Sequence, residues 1–82
     1  MISAYLFIHL NHDYNGENVL DDVREIPQVK EAYRLYGTYD MVIYIEAETT
    51  TELKRVTLES VRSLRYVEST VTFIALDWHI KN

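Results

Sequence analysis

A four-stranded antiparallel sheet with two helices on one face, an α+β sandwich, is the fold this sequence predicts, and three observations predict it. The apolar patterns along the 82 residues run strand, helix, strand, strand, helix, strand. The stretches between strands are of the length that makes right-handed crossovers and antiparallel neighbours. The first, third and fourth strands carry bulky apolar side chains on both faces, whereas two short helices cover only one. The first two observations specify βαββαβ, the ferredoxin-like order. The third predicts a homodimer. A face bearing Tyr5, Phe7 and Ile43, or their alternates, exceeds the few hundred Å² of contiguous apolar surface usual for soluble monomers, so a second copy is expected to cover it, sheet to sheet.

Residues 3–10, SAYLFIHL, place Ala4, Leu6, Ile8 and Leu10 on one side and Tyr5, Phe7 and His9 on the other, a central strand covered above and below. The polar run 11–16, NHDYNG, is a loop. Over 17–25 the positions Val19, Leu20, Val23 and Ile26 form one face of a short helix, with Asn15 as its cap and Glu17, Asp21 and Asp22 toward its positive end. Pro27, the only proline, stops it.

Residues 29–36 and 41–47 are two strands of a hairpin centred on 32–46, AYRLYGTYDMVIYIE, rich in the aromatic and β-branched types that suit a pleated surface. Gly37 is free to supply positive φ in the connection. A loop held between two stiff arms presents its N–H groups, Tyr39 and Asp40 at set positions, which a small-molecule site needs. Gly37 and Asp40 equally serve to make the turn, with the carboxylate accepting from turn amides.

Thr49 and Glu52 fit a Ser/Thr-x-x-Glu capping box opening a second helix to about residue 65, with Leu53, Val56, Ser60, Val61 and Leu64 inward and Leu58 off that stripe. Arg55, Arg62 and Arg65 oppose the negative end of its dipole, a sufficient reason for that basic cluster. Residues 68–78 alternate Val71, Phe73 and Ala75 with Thr70, Thr72, Ile74 and Leu76 as the last strand. In the tail 77–82, Trp78 and Ile80 are too apolar for water and are expected to pack on a neighbouring chain.

Eighty-two residues make one domain, and a domain of this size buries only about 60–65% of its unfolded surface. The thin core adds to the case for a partner. Seven tyrosines exceed what such a core hides, since each buried phenol needs a hydrogen-bond partner, so some belong at an interface or a pocket. A net charge of -5 without a Lys/Arg run lacks the footprint of nucleic-acid or anionic-membrane binding. The absence of cysteine removes disulfides, thiolate chemistry and Cys-based metal sites, and fits a reducing cytoplasm. The apolar start lacks a basic region and a cleavage site, so it reads as a strand and not a signal peptide, and no stretch reaches membrane-spanning length.

The combination Ile26-Pro27-x-Val29, Ala32-Tyr33-x-Leu35-Tyr36-Gly37-x-Tyr39-Asp40, Val61-Arg62-x-Leu64 and Ser69-Thr70-x-Thr72 resembles the C-terminal effector domain, or RAM domain, of the leucine-responsive regulatory protein/AsnC (Lrp/AsnC) family over nearly the whole chain. The resemblance implies a βαββαβ sandwich that dimerises through its sheets, assembles further into rings of dimers, and binds small effectors, usually amino acids, where dimers meet. Carried over by position, it places the effector against Gly37, Thr38, Tyr39 and Asp40 and against Ser69, Thr70 and Thr72. Turn amides and hydroxyls suit a carboxylate there, and Asp40 suits an ammonium group. Thr70 and Thr72 also need no function beyond belonging to a strand. Family regulators carry an N-terminal helix-turn-helix. The chain starts at the first strand, so residues 1–82 read as a stand-alone effector domain that acts in transcription regulation through partners, full-length regulators among them, and not by touching DNA.

Other chemistries are weaker. His9, His12 and His79 have no metal-ligand spacing, and His9, inside an apolar strand, reads as a core or interface histidine. Asp21 and Asp22 are adjacent and point to different sides of a helix. No nucleophile elbow, P-loop or dinucleotide fingerprint is present, so neither an enzyme nor a cofactor is expected. Two alternatives stand beside the effector module. One is a small dimeric monooxygenase or isomerase using His9, Tyr33 and Tyr44, by fold analogy alone. The other is a purely structural partner that alters the oligomeric state of regulators.

Overall fold

Strict alternation makes β1 (Ile2–Leu10) the strand on which the sheet is built: Ala4, Leu6, Ile8 and Leu10 are buried, while Tyr5, Phe7 and His9 face the other way. The computed structural model describes residues 1–11, 19–77, 79 and 81. Its sheet has the order β2-β3-β1-β4, with β2 (Val29–Arg34), β3 (Met41–Ala47) and β4 (Val67–Ile74), and every pairing is antiparallel. The βαββαβ expectation holds.

Register sorts the side chains. Residues directly opposite one another share a face. Leu6 lies across from Ile43 and Thr72, and Ile8 across from Met41 and Thr70, on the inner face. Leu6, Ile8, Met41, Ile43 and Ile45 pack there with Val19, Val23, Leu53, Val56 and Val61 from the helical segments. Ile43 thus belongs to the core, and its neighbours Val42 and Tyr44 take the outer face. That face also carries Tyr5 across from Phe73, and Phe7 across from Val71. Tyr5 is 46% and Phe73 55% exposed. Among the described residues the helices therefore cover one side of the sheet, as the face count expects.

Helix α1 (Val19–Arg24) buries Val19 and Val23, with Leu20 half-buried against the core and Ile26 just beyond its end. Glu25 N–H to Asp22 O (3.2 Å) and Ile26 N–H to Val23 O (3.1 Å) tighten the last turn before Pro27. The expected capping by Asn15 and the charge of Glu17 lie outside the described residues, as do Trp78 and Ile80 of the tail.

Helix α2 (Thr50–Arg55) opens as expected, its cap Thr49 Oγ1 accepting the Glu52 N–H at 3.1 Å. The reciprocal half of the capping box differs. Glu52 reaches past Thr49 to accept the Glu48 N–H (3.2 Å) and the Gln28 side-chain amide (3.0 Å), which pins the helix start to the chain entering β2. The helix then widens into a π-helical segment, Val56–Val61, and ends four residues short of the expected 65. Thr57, absent from the predicted inner stripe, is buried, and its hydroxyl is satisfied by the carbonyls of Leu53 and Lys54, both at 3.1 Å. The wider turn brings Val56, Thr57 and Val61 inward together and leaves Leu58 out, as predicted.

The Gln28 amide and the Glu48 N–H hold the Glu52 carboxyl below the usual carboxylate value. A depressed carboxylate pKa stabilises the fold above the unfolded value, and that contribution disappears as pH falls through the folded one. Gln28→Ala is therefore expected to lower the melting temperature more at neutral pH, where the Glu52 carboxylate is charged, than under acid conditions in which it becomes protonated, a difference that two thermal melts resolve.

Candidate functional site

The connection from β2 to β3 is clamped to the end of β1 by one residue. Leu35 N–H to Asp40 O (2.9 Å) closes the loop on itself, and Asp40 N–H to Ile8 O (3.0 Å) ties it to β1. Asp40 Oδ2 then accepts the Leu10 N–H at 2.8 Å. The same oxygen lies 4.0 Å from His9 Nδ1. Asp40 thus holds the loop through the neighbouring strand, a long-range role beyond making the turn.

Tyr39 follows from this clamp. Its ring lies 4.6 Å from the His9 ring and 5.3 Å from Phe7, so it packs over the outer face of the sheet. Gly37 and Thr38, ahead of it, are exposed. Gly37 departs from expectation: its φ lies outside the left-handed region, and an added Cβ would meet no heavy atom within 4 Å. Within one subunit nothing requires glycine there. The short six-residue connection 35–40 is closed by the Asp40 bonds instead of by a left-handed residue.

The β4 residues divide. Ser69 lies across from His9 and shares the outer face with Tyr39, while Thr70 and Thr72 lie across from Ile8 and Leu6 on the helix side. One subunit therefore brings together Tyr39, Asp40, His9 and Ser69 at one end of the sheet, and leaves Gly37 and Thr38 at the loop tip and Thr70 and Thr72 on the opposite face. His9 joins this group although the sequence placed it in a core or interface, or in the pocket of the enzyme alternative, and not beside the loop. Its parity with Tyr5 and Phe7 is the signal that could have found it.

The residues of the enzyme alternative do not converge. His9 sits with Tyr39 and Asp40, the Tyr33 hydroxyl donates to Glu31, and the Tyr44 hydroxyl is bonded to Ser3 and Glu46. Glu31 holds the Tyr33 phenol above its ordinary pKa, first through that hydrogen bond and then through its charge. A cavity of about 680 Å³ at the far end of the sheet is lined by Tyr44 but by neither His9 nor Tyr33. Among the described residues, no group of three His, Cys, Asp or Glu is placed to hold a metal, and no helix is long and apolar enough to cross a membrane.

A family profile described as the Lrp/AsnC ligand binding domain matches residues 3–82. A solved structure from Thermus thermophilus superposes with a TM-score of 0.82 at 31% identity, over 99% of this chain and 100% of that one. An uncharacterised HTH-type transcriptional regulator of Pyrococcus abyssi is 26% identical over 77 residues, which are 92% of this chain and 51% of the regulator. A homocitrate synthase of Sulfolobus acidocaldarius is 37% identical over 75 residues, again 92% of this chain but 16% of the enzyme. The chain thus spans about half of the regulator and a small part of the synthase. By the family profile over residues 3–82 it belongs to the Lrp/AsnC ligand-binding domain family, and similar sequence occurs in both settings.

Proposed function

We infer that this domain is a small-molecule binding and oligomerisation module for transcription regulation. It forms a homodimer through the outer face of its sheet and takes an amino acid where such dimers meet. The observation that carries the reading is the outer face, where Tyr5, Phe7, Val42, Tyr44, Val71 and Phe73 stand together with no helix over them among the described residues. A second copy is the natural cover, because an identical apolar patch is self-complementary about a two-fold axis. Dimers then bring the loop Gly37, Thr38, Tyr39 and Asp40 of one copy toward the β4 residues Ser69, Thr70 and Thr72 of another. That would join Gly37, Thr38, Thr70 and Thr72, which a single subunit keeps apart, to the Tyr39, Asp40 and Ser69 group that it already holds.

The chemistry suits an α-amino acid. Exposed loop amides and threonine hydroxyls are donors for its carboxylate, and the remaining capacity of the Asp40 carboxylate is an acceptor for its ammonium group. Occurrence of the domain in a regulator and in a biosynthetic enzyme supports a sensor that works through whatever it is joined to or assembled with, with no DNA contact of its own. The domain acts at 1–82 as one unit in the cytoplasm, as a regulator's partner and not as a catalyst.

A thermal-shift screen over the twenty amino acids tests this. At a concentration 100 times its dissociation constant, the true effector adds about 2.7 kcal/mol and raises the melting temperature by several degrees. Asp40→Asn keeps an acceptor for Leu10 N–H but loses the charge, so it should fold and lose that response. Silence across the screen, with a full-length regulator co-purifying, would favour the purely structural partner.

A further inference from the structure

The end of the sheet remote from the Gly37 loop holds the cavity of about 680 Å³, within the roughly 300–1,000 Å³ of small-ligand sites. Ser3, Tyr5, Glu31, Tyr44, Glu46 and His79 line it. Register assembles them: Ser3 lies across from Glu46, and Tyr44 lies between Tyr5 on one side and Glu31 on the other. The Tyr5 and Tyr44 rings form a tilted pair with centroids 5.2 Å apart. All of these residues come from a single chain.

Each carboxylate is fixed by a phenol. The Tyr44 hydroxyl lies 3.0 Å from Glu46 Oε2, to which it donates, and 2.9 Å from Ser3 Oγ, while the Tyr33 hydroxyl donates to Glu31 Oε1. Among the described residues, no hydrogen bond engages Glu46 Oε1 or Glu31 Oε2. Among the described residues, no Lys or Arg lines the cavity, and beside the Met1 amino group His79 is the one nitrogen base there. Glu31 lies across from Tyr44, two residues before Glu46 on β3, with a register shift between Val29 and Glu31. Two carboxylates, each bonded to its own phenol and each with one oxygen left, suit two cationic groups on one molecule better than one shared metal ion.

The geometry points to a binding site for a linear alkyl diamine, distinct from the effector site at the loop. One ammonium group pairs with each carboxylate, and the methylene chain lies along the Tyr5–Tyr44 pair, whose ring faces attract cations. An anion is repelled here, and a neutral apolar ligand would leave both carboxylates desolvated without a counter-charge. Where a second sheet closes over this face, as in the proposed dimer, the diamine also neutralises the charge that closure strips of water. The Tyr5–Tyr44 wall is part of the face that the proposed dimer covers, so the inference rests on that reading, whereas the carboxylates and the phenols that hold them lie within one chain.

Titration calorimetry with 1,4-diaminobutane at constant ionic strength tests the site. Saturable binding of one diamine per chain is expected, weakened about tenfold or more by Glu46→Gln and by Glu31→Gln, and weaker for butylamine, which has one ammonium group. Asp40→Asn should bind the diamine as the native chain does, so failure of the effector proposal and failure of this one are told apart. Circular dichroism confirms that each variant is folded. No saturable heat at millimolar diamine, an equal response to sodium chloride, or undiminished binding by both glutamine variants would overturn the assignment.

Discussion

Phe7→Glu is expected to turn the proposed dimer into a folded monomer. Phe7 sits at the centre of the outer face, opposite Val42 and Val71, in ring contact with Tyr39 and with Phe73 at 5.8 Å. In the proposed dimer a carboxylate there would be buried twice about the two-fold axis, facing its own copy, and among the described residues the nearby group able to carry positive charge is His9. Truncating or charging a residue at the centre of an apolar interface costs about 2 kcal/mol or more, and an unpaired buried charge adds to this, so a loss of at least about a hundredfold in association is expected. The fold should survive, because Phe7 points away from the core cluster and its backbone pairing with β3 and β4 does not depend on the side chain. Its melting temperature should fall and lose its dependence on protein concentration, as follows when association no longer adds to stability. A variant that sediments as the native protein does would show that dimers form elsewhere.

Leu6→Ala is expected to cost the most stability of any single change to the inner face. Leu6 is fully buried on the central strand, between Ile43 of β3 and the edge strand β4. Deleting a leucine side chain in such a place costs about 2–5 kcal/mol, the spread reflecting how far the surroundings close over the hole. For a domain of this length that corresponds to a fall in melting temperature of roughly 10 °C or more. Thr72→Ala is the control, since Thr72 lies directly across from Leu6 on an edge strand yet is exposed. A surface change of that kind stays within about 0.5 kcal/mol. Equal effects at the two positions would mean that the inner face is not the core.

Legibility follows from how local each cause is. The alternation Ala4-Tyr5-Leu6-Phe7-Ile8-His9 declares both faces of β1, and the Thr49–Glu52 pair marks the start of α2, because these depend on neighbours in sequence. The π-helical turn does not show, since a wider turn preserves much of an apolar stripe and shifts only residues such as Thr57. The Asp40–Leu10 bond joins positions 30 apart, and no local pattern encodes it. A conformational duty for Gly37 is expected because loops often need one, yet here the loop is closed by Asp40. The separation of Ser69 from Thr70 and Thr72 is readable from parity alone. Family likeness groups them, and the strand assigns them to two faces.

The most direct measurement is the mass of the chain in solution. Sedimentation equilibrium at micromolar concentration should return at least twice the 9.7 kDa of one chain, with Phe7→Glu returning the single mass. A native protein that stays at 9.7 kDa across that range, its outer sheet face open to water, would contradict the account.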